Sequence, residues 1–335
     1  MIWLVAVPLT LGVAAALLGP RLAPRLALPG IVATLAVTAA GVGRIARDGP
    51  QREALGGFAA PLGIELYGDG LAALMVGTTA LVAALVALYA RSYLPLAEAG
   101  GRFWALSWLL WASMNALYLS ADLFNLYVTL ELLALSSIGL IGLRGGAVAL
   151  AAALRYLLAA LLGSAAYLLG VALLYGAYGT LSLAELAVSL QPGPYASLVV
   201  ALVITGLALK TALFPLHFWL PPAHGAALTP VSALLSGLVV MASFYLVLRL
   251  WFDVFGAAAG PAAGQALGAL GAAAIVWGAL AALRQRRLKM LVAYSTVAQV
   301  GYFFLLFPMA SAAAPDAALA AWTGGTLYAV SPVQA

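Results

Sequence analysis

The stretch ALKTALFPLHFWLPPAHG, residues 208–225, sets Lys210, His217 and His224 among Pro215, Pro221 and Pro222 in deeply apolar sequence. The whole chain holds only two lysines and two histidines, so three of those four groups fall in one short segment. A proline inside a helix removes a backbone hydrogen bond and clashes with the preceding turn. The helix is therefore expected to break just after Lys210, somewhere within 205–220, with all three prolines contributing. Carbonyls freed at membrane depth are tolerated only where protein or a water-filled cavity satisfies them. Broken helices of this kind build ion sites in transporters. The prolines should open the helix, admit water and turn the lysine toward it.

The surrounding composition makes a membrane the solvent. Hydrophobic residues make up 65% of the 335 positions and charged residues 7%, where a soluble domain carries roughly 25% charged residues. A soluble fold of this length could not hide so much apolar surface. Spans need roughly 20 apolar residues each, and the chain supplies them repeatedly. The first, Ile2–Leu18, has no basic region before it and is followed by a proline and two arginines, so it reads as a retained helix and not as a signal peptide. The chain contains no cysteine, which excludes disulfides, iron–sulfur ligation and thiolate metal sites. Its net charge of +5 is mostly arginine in short loops, as orientation in a bilayer requires, and does not indicate nucleic-acid binding.

The expected fold is all-α, a polytopic bundle of about eleven spans. These lie at 2–18, 26–43, 68–90, 103–119, 122–142, 149–177, 195–219, 228–252, 262–283, 289–310 and 316–335. Arg21 and Arg25, Arg91 and Arg102, Arg144 and Arg155, and the run Arg284, Arg286, Arg287, Lys289 fall on one side. Loops near Asp122, Glu185 and Asp316 fall on the other, and only Arg44, Arg47 and Arg52 in the long second loop spoil the alternation. The positive-inside rule then puts the N-terminus outside and the C-terminus in the cytoplasm. Most of these arginines read as topology markers, and Arg155, near a span end, can snorkel. Ala/Gly richness with Arg well above Lys suggests a GC-rich bacterial source, hence a bacterial inner (plasma) membrane. Gly260, Gly264 and Gly268 recur at a spacing of four, which suits close helix packing.

Two opposite charges sit in mid-span, Glu131 within 122–142 and Lys210 within 195–219. A charged side chain at a helix centre costs about 2.5–3.5 kcal/mol on insertion scales, so such residues usually mark an ion or proton path. A structural pair joining two helices is the alternative reading. As a relay they make chemical sense. Burial raises a carboxyl pKa and lowers an amine pKa, while each neighbour's charge pushes the other way. A lysine poised between those terms can load and release a proton when its partner moves. His217 and His224, after the break, can pass protons on or can serve as plain hydrogen-bonding groups. Two histidines without further ligands make a poor metal site; neither metal nor cofactor is expected.

At this point the sequence resembles a known family. LKTALFPLHFWLPPAHGAALTPVSALLSG is similar to the signature of the antiporter-like, proton-translocating subunits of respiratory complex I, and of the related large subunits of Mrp-type cation/proton antiporters and membrane-bound hydrogenases. DLFNLYVTLELLALSSIGL carries the family's mid-membrane glutamate at Glu131, and RRLKMLVAYSTVAQVGYFFL its lysine-then-AYS element at Lys289. The segment ASFYLVLRLWF resembles the Mrp D-like branch. The resemblance implies two inverted five-helix repeats, each with a broken helix and each resembling a half-channel. It implies that Glu131 and Lys210 are the coupled pair of the first half-channel, with a histidine after the break passing protons inward. The parts would be N-terminal helices at 1–102, a first repeat at 103–252 and a partial second repeat at 253–335.

Two departures from the family stand out. The lysine usually found just after LLSGLVV is replaced by Met241, an apolar filler with no titratable group. The chain also stops at LYAVSPVQA, where the resemblance leads one to expect a histidine near Pro332 and then a second broken helix. The leading reading is a proton- (or Na⁺/H⁺-) translocating subunit of a multisubunit complex, with no catalytic centre of its own. Its partners would be other membrane subunits, the lipid bilayer and H⁺ or Na⁺. The rivals are a non-conducting scaffold of such a complex, which Met241 favours, and a stand-alone permease, which the lack of a polar binding cluster disfavours.

Overall fold

A computed structural model describes residues 1–58, 60, 63–94, 99–312 and 323–325. Almost all of them are helical. Seven described segments are long and apolar enough to cross a membrane. The first of these, Trp3–Asp48, runs to 46 residues, roughly 70 Å as a straight helix against a hydrocarbon core of about 30 Å. It therefore turns back. α1 (Trp3–Leu22) kinks at Gly19, whose φ of 70° and ψ of −174° leave the helical region. A 3₁₀ turn at Ala23–Leu26 follows and then α2 (Ala27–Asp48), which packs on α1. The expected span at 103–119 is α4 (Ala99–Leu119), and the expected span at 316–335 lies outside the described residues.

The second loop differs from expectation. Gln51–Ala54 (β1) and Glu65–Gly68 (β2) form a two-stranded antiparallel ribbon with Arg52 opposite Tyr67. The Arg52 guanidinium lies 4.7 Å from the Tyr67 ring centroid and 3.4 Å from Glu65. These charges are thus held inside the ribbon as cross-strand contacts. Arg44 pairs with Asp48 at 3.9 Å one turn along α2.

The contacts divide the chain into two compact units, Met1–Leu157 with Ala226–Ala242, and Leu158–Gly225 with Ser243–Ala335. The stretch 103–252 expected as one repeat draws on both. In the first unit α4 packs on α1, on α3 (Gly70–Tyr93) and on α5 (Leu123–Gly142). α10 (Thr229–Leu234) also lies on α3. Asp122 starts α5 by accepting from Asn125 N at 2.8 Å, satisfying a donor that the first turn would leave open. α6 (Gly146–Tyr178) is long enough to begin in this unit and end in the other.

In the second unit α12 (Gly256–Leu283) packs along α13 (Leu288–Phe304), α14 (Leu306–Ala312) and α8 (Pro194–Lys210). The glycines that bring α12 and α13 together are not all those the spacing suggests. A Cβ on Gly271 would stand 2.6 Å from Gly301 O, and one on Gly278 2.6 Å from Ala298 N. Gly268 does face a neighbour, the ring of Pro308. Gly260 has φ +68° and, among the described residues, nothing within 4 Å of where a Cβ would stand, so it kinks the helix ahead of Pro261. The helix Thr229–Phe255 is interrupted by two π-helical stretches, Leu235–Val239 and Trp251–Phe255.

Candidate functional site

The helix carrying Lys210 is broken where the prolines suggested, and the hydrogen bonds show how. α8 ends at Lys210. Leu213 N donates to Ala208 O at 3.0 Å and Ala212 N to Leu209 O at 3.3 Å, the bond pair of a Schellman turn. That turn requires a left-handed residue, most often glycine, one position beyond the cap. Here Ala212 takes the place with φ 57°. Three more donors reach the last turn. Thr211 N bonds Leu207 O at 2.8 Å, Thr211 Oγ1 bonds Ala208 O at 3.0 Å, and Trp219 Nε1 bonds Leu209 O at 2.9 Å. The carbonyls of Leu207, Ala208 and Leu209 are thus met by protein groups.

Two of the three prolines have another role. Pro215 stands in the turn before a 3₁₀ stretch, Leu216–Trp219. Pro221 and Pro222, expected to break the helix, instead lie in the first turn of α9 (Leu220–Ala226). A first-turn N–H has no partner within its own helix, so a proline there loses nothing.

Lys210 is buried, at 5% exposure. Its place follows from two glycines. A Cβ on Gly163 of α6 would lie 2.8 Å from Gly206 O and 3.3 Å from Lys210 Cγ. The backbones of α6 and α8 therefore touch one turn before the lysine, and its stem lies across Gly163. The ammonium also belongs to the last residue of α8, where the helix dipole places partial negative charge and favours a cation. A break inside a membrane thus supplies electrostatic support that a continuous helix could not.

His217, in the 3₁₀ turn, is half-buried. Its Nε2 accepts a hydrogen bond from Trp277 Nε1 of α12 at 3.0 Å. Its ring stacks on Phe214 with centroids 5.5 Å apart, and Phe214 also meets Trp277 at 5.8 Å. His224 is fully buried in α9. It lies in the field of Lys289, the second residue of α13, and a Cβ on neighbouring Gly225 would stand 2.7 Å from Met290 Sδ. Lys210, His217, His224 and Lys289 all belong to the second unit.

Glu131 and Met241 belong to the first unit. Glu131 is half-buried midway along α5. The buried Tyr156 of α6 lies within its electrostatic reach and within hydrogen-bonding reach of Ser137. Met241, 3% exposed, follows the first π-helical stretch by two residues. No cluster of three or more His, Cys, Asp or Glu side chains able to hold a metal occurs among the described residues.

Three features escaped the sequence reading. Tyr156 and Trp277 carried no local signal, because each matters through a tertiary contact. The third is a buried arginine in α11 (Val240–Leu250). Arg249 donates from Nε to Tyr245 Oη at 3.2 Å and from Nη1 to Asp253 Oδ2 at 3.0 Å. The spacing of four on either side of Arg249 places all three groups on one helical face, and that signal was available in the sequence.

Known proteins resemble this chain in sequence and fold. Residues 120–331 match the family described as NADH:quinone oxidoreductase/Mrp antiporter, TM. The chain is 39% identical over 320 residues to NADH-quinone oxidoreductase subunit N of Desulforudis audaxviator (strain MP104C), covering 91% of this chain and 62% of that one. It is 36% identical over 273 residues to a probable K(+)/H(+) antiporter component of Rhizobium meliloti (strain 1021), covering 79% and 50%. It thus spans about half to three-fifths of the length of these relatives, one an oxidoreductase component and the other an antiporter component. Among solved structures it superposes on a chain of the membrane-bound sulfane sulfur reductase, an archaeal respiratory membrane complex. That match has a TM-score of 0.89 and 28% identity, and covers 99% of this chain and 68% of the other. A match over more than half of its residues, with helices broken and charged as described, makes this chain a multi-pass membrane protein of the NADH:quinone oxidoreductase/Mrp antiporter transmembrane family.

Proposed function

We propose that the chain is a proton- (or Na⁺/H⁺-) translocating membrane subunit of a multisubunit complex, in which Glu131, Lys210, His217, His224 and Lys289 relay protons. The observation that carries this reading is Lys210, a buried lysine held at an internal helix end by backbone-to-backbone contact of α6 and α8. Such a residue is costly in a membrane and marks a conduction path. Lys210 loads a proton when Glu131 is charged and releases it when that charge is lost or moves. His224 and Lys289 carry like charges when both are protonated, so a proton on one discourages a proton on the other. Occupancy then alternates along the line instead of filling it.

The residues 103–252 form the first half-channel in this reading, between helices at 1–102 and a further partial repeat at 253–335. The membrane is the bacterial plasma membrane, with the N-terminus outside. Partners are other membrane subunits, because the similar proteins are named as subunits of an oxidoreductase and an antiporter. A second reading, a non-conducting scaffold, rests on Met241, where a buried methionine fills the place of a titratable carrier. Proton translocation by the purified parent complex in proteoliposomes separates the two. Lys210→Ala abolishes flux with subunit content intact if the chain conducts, and leaves it unchanged if the chain is a scaffold.

A further inference from the structure

We propose that Trp277 is a positioning residue for His217, holding its ring in one tautomer and blocking the nitrogen at which it would take up a proton. The inference rests on the relay role given to His217 above. An indole N–H can only donate, so the 3.0 Å bond from Trp277 Nε1 makes His217 Nε2 the acceptor. The neutral imidazole then carries its proton on Nδ1, and that atom is buried without a protein acceptor among the described residues. A second proton can be added only at Nε2, whose lone pair already points at the indole. An imidazolium would set two N–H donors against each other.

Charging His217 therefore requires the indole to swing away, and the surroundings allow it. Trp277 is 48% exposed on α12, so one side of the ring is free of protein packing. His217 stays in place when Trp277 moves, because Phe214 stacks on its ring at 5.5 Å within the same turn. The neighbouring Gly278 anchors that part of α12 against Ala298, leaving the motion to the side chain. With the indole in place the relay is closed at His217. With it displaced, Nε2 takes up a proton from the relay and the ring becomes an imidazolium; the proton leaves again from Nε2 to the next carrier, and the ring returns to its neutral Nδ1–H form.

The test replaces Trp277 by Phe, which keeps a ring against Phe214 but has no N–H. The full chain carrying ¹⁵N-histidine contributes only two imidazoles, and a His217→Gln difference spectrum assigns the relevant one. In the parent, magic-angle-spinning spectra in lipid should show His217 protonated at Nδ1 and bare at Nε2. In Trp277→Phe the Nε2-protonated tautomer should appear. Passive proton leak through the resting parent complex in proteoliposomes should rise by roughly two- to tenfold, the range expected from losing one hydrogen bond. An unchanged tautomer overturns the proposal, and so does an altered tautomer with no change in leak. A complex that translocates no protons, in parent and variants alike, defeats the relay reading instead, while the spectra still report on Trp277.

Discussion

Gly163 and Gly206 face each other so closely that neither α6 nor α8 has room for a side chain there, and Lys210 occupies the space this contact creates. A Cβ on Gly206 would stand 2.9 Å from Tyr167 N and closer still to Gly163 O. Backbone cannot yield as a side-chain tip can. Gly206→Ala is expected to cost about 1–3 kcal/mol by overpacking and to displace Lys210 one turn on. The thermal midpoint of the purified chain in detergent should fall, and flux in the parent complex should fall with it. Gly176→Ala is the control, since that glycine of α6 has nothing within 4 Å; alanine there should be neutral or mildly stabilising. Equal midpoints for the two variants would remove the glycine contact from the account of Lys210.

Ala212 ends α8 in a conformation that costs an L-residue about 1–2 kcal/mol. Ala212→Gly should therefore raise stability by about 1 kcal/mol, because the turn stays and the steric penalty goes. Ala212→Val should lower it by more, since a β-branched side chain suits the left-handed region least and the site is fully buried. Thermal midpoints in one detergent check both. A glycine variant no more stable than the parent would show that Ala212 is not strained.

The position of the break was legible because proline chemistry is local. Pro215 removes a backbone donor and crowds the preceding turn, which disfavours a continuous helix there. Its mechanism was hidden, since an alanine at the left-handed position of a Schellman turn gives no sign in sequence, and the Trp219 bond to Leu209 O joins residues ten apart. Pro221 and Pro222 were misleading because proline breaks a helix interior and favours a first turn, and sequence alone does not say which of these a proline occupies. The ribbon at Gln51–Gly68 was invisible for a different reason. Its strands are four residues each in a charge-rich loop, too short for alternation to register. Arg249 drew no reading from the sequence, although Tyr245 and Asp253 at a spacing of four announced its partners.

Met241 bears on whether the chain conducts. It is buried at the start of α11, just beyond a π-helical stretch, and such local widenings of a helix recur at functional sites. If protons pass, Met241→Lys restores a titratable step, and flux in the parent complex should rise. The burial of the methionine makes the substitution costly, so subunit content and thermal midpoint need to be followed beside flux. Normal assembly with unchanged flux would mean that protons leave by another route or do not pass at all.

Glu131 and Lys210 should behave as one functional unit. They are the mid-span ionisable groups of opposite sign that the sequence singles out; Lys210 is buried and Glu131 half-buried, each in its own unit. If the two pair, removing one leaves the other uncompensated in low dielectric, where a lone charge is expensive and the group neutralises instead. Glu131→Ala and Lys210→Ala should each abolish proton movement with the complex assembled. The double variant should lose no more than either single, because coupled residues are non-additive. A third outcome is as informative. If both singles prevent assembly and the double variant restores it, the pair is structural, a salt bridge whose halves are tolerated only together or not at all. Full flux in both singles would leave Lys210 as a buried cation with no part in conduction, and the path would have to be sought elsewhere, first along the face of Tyr245, Arg249 and Asp253.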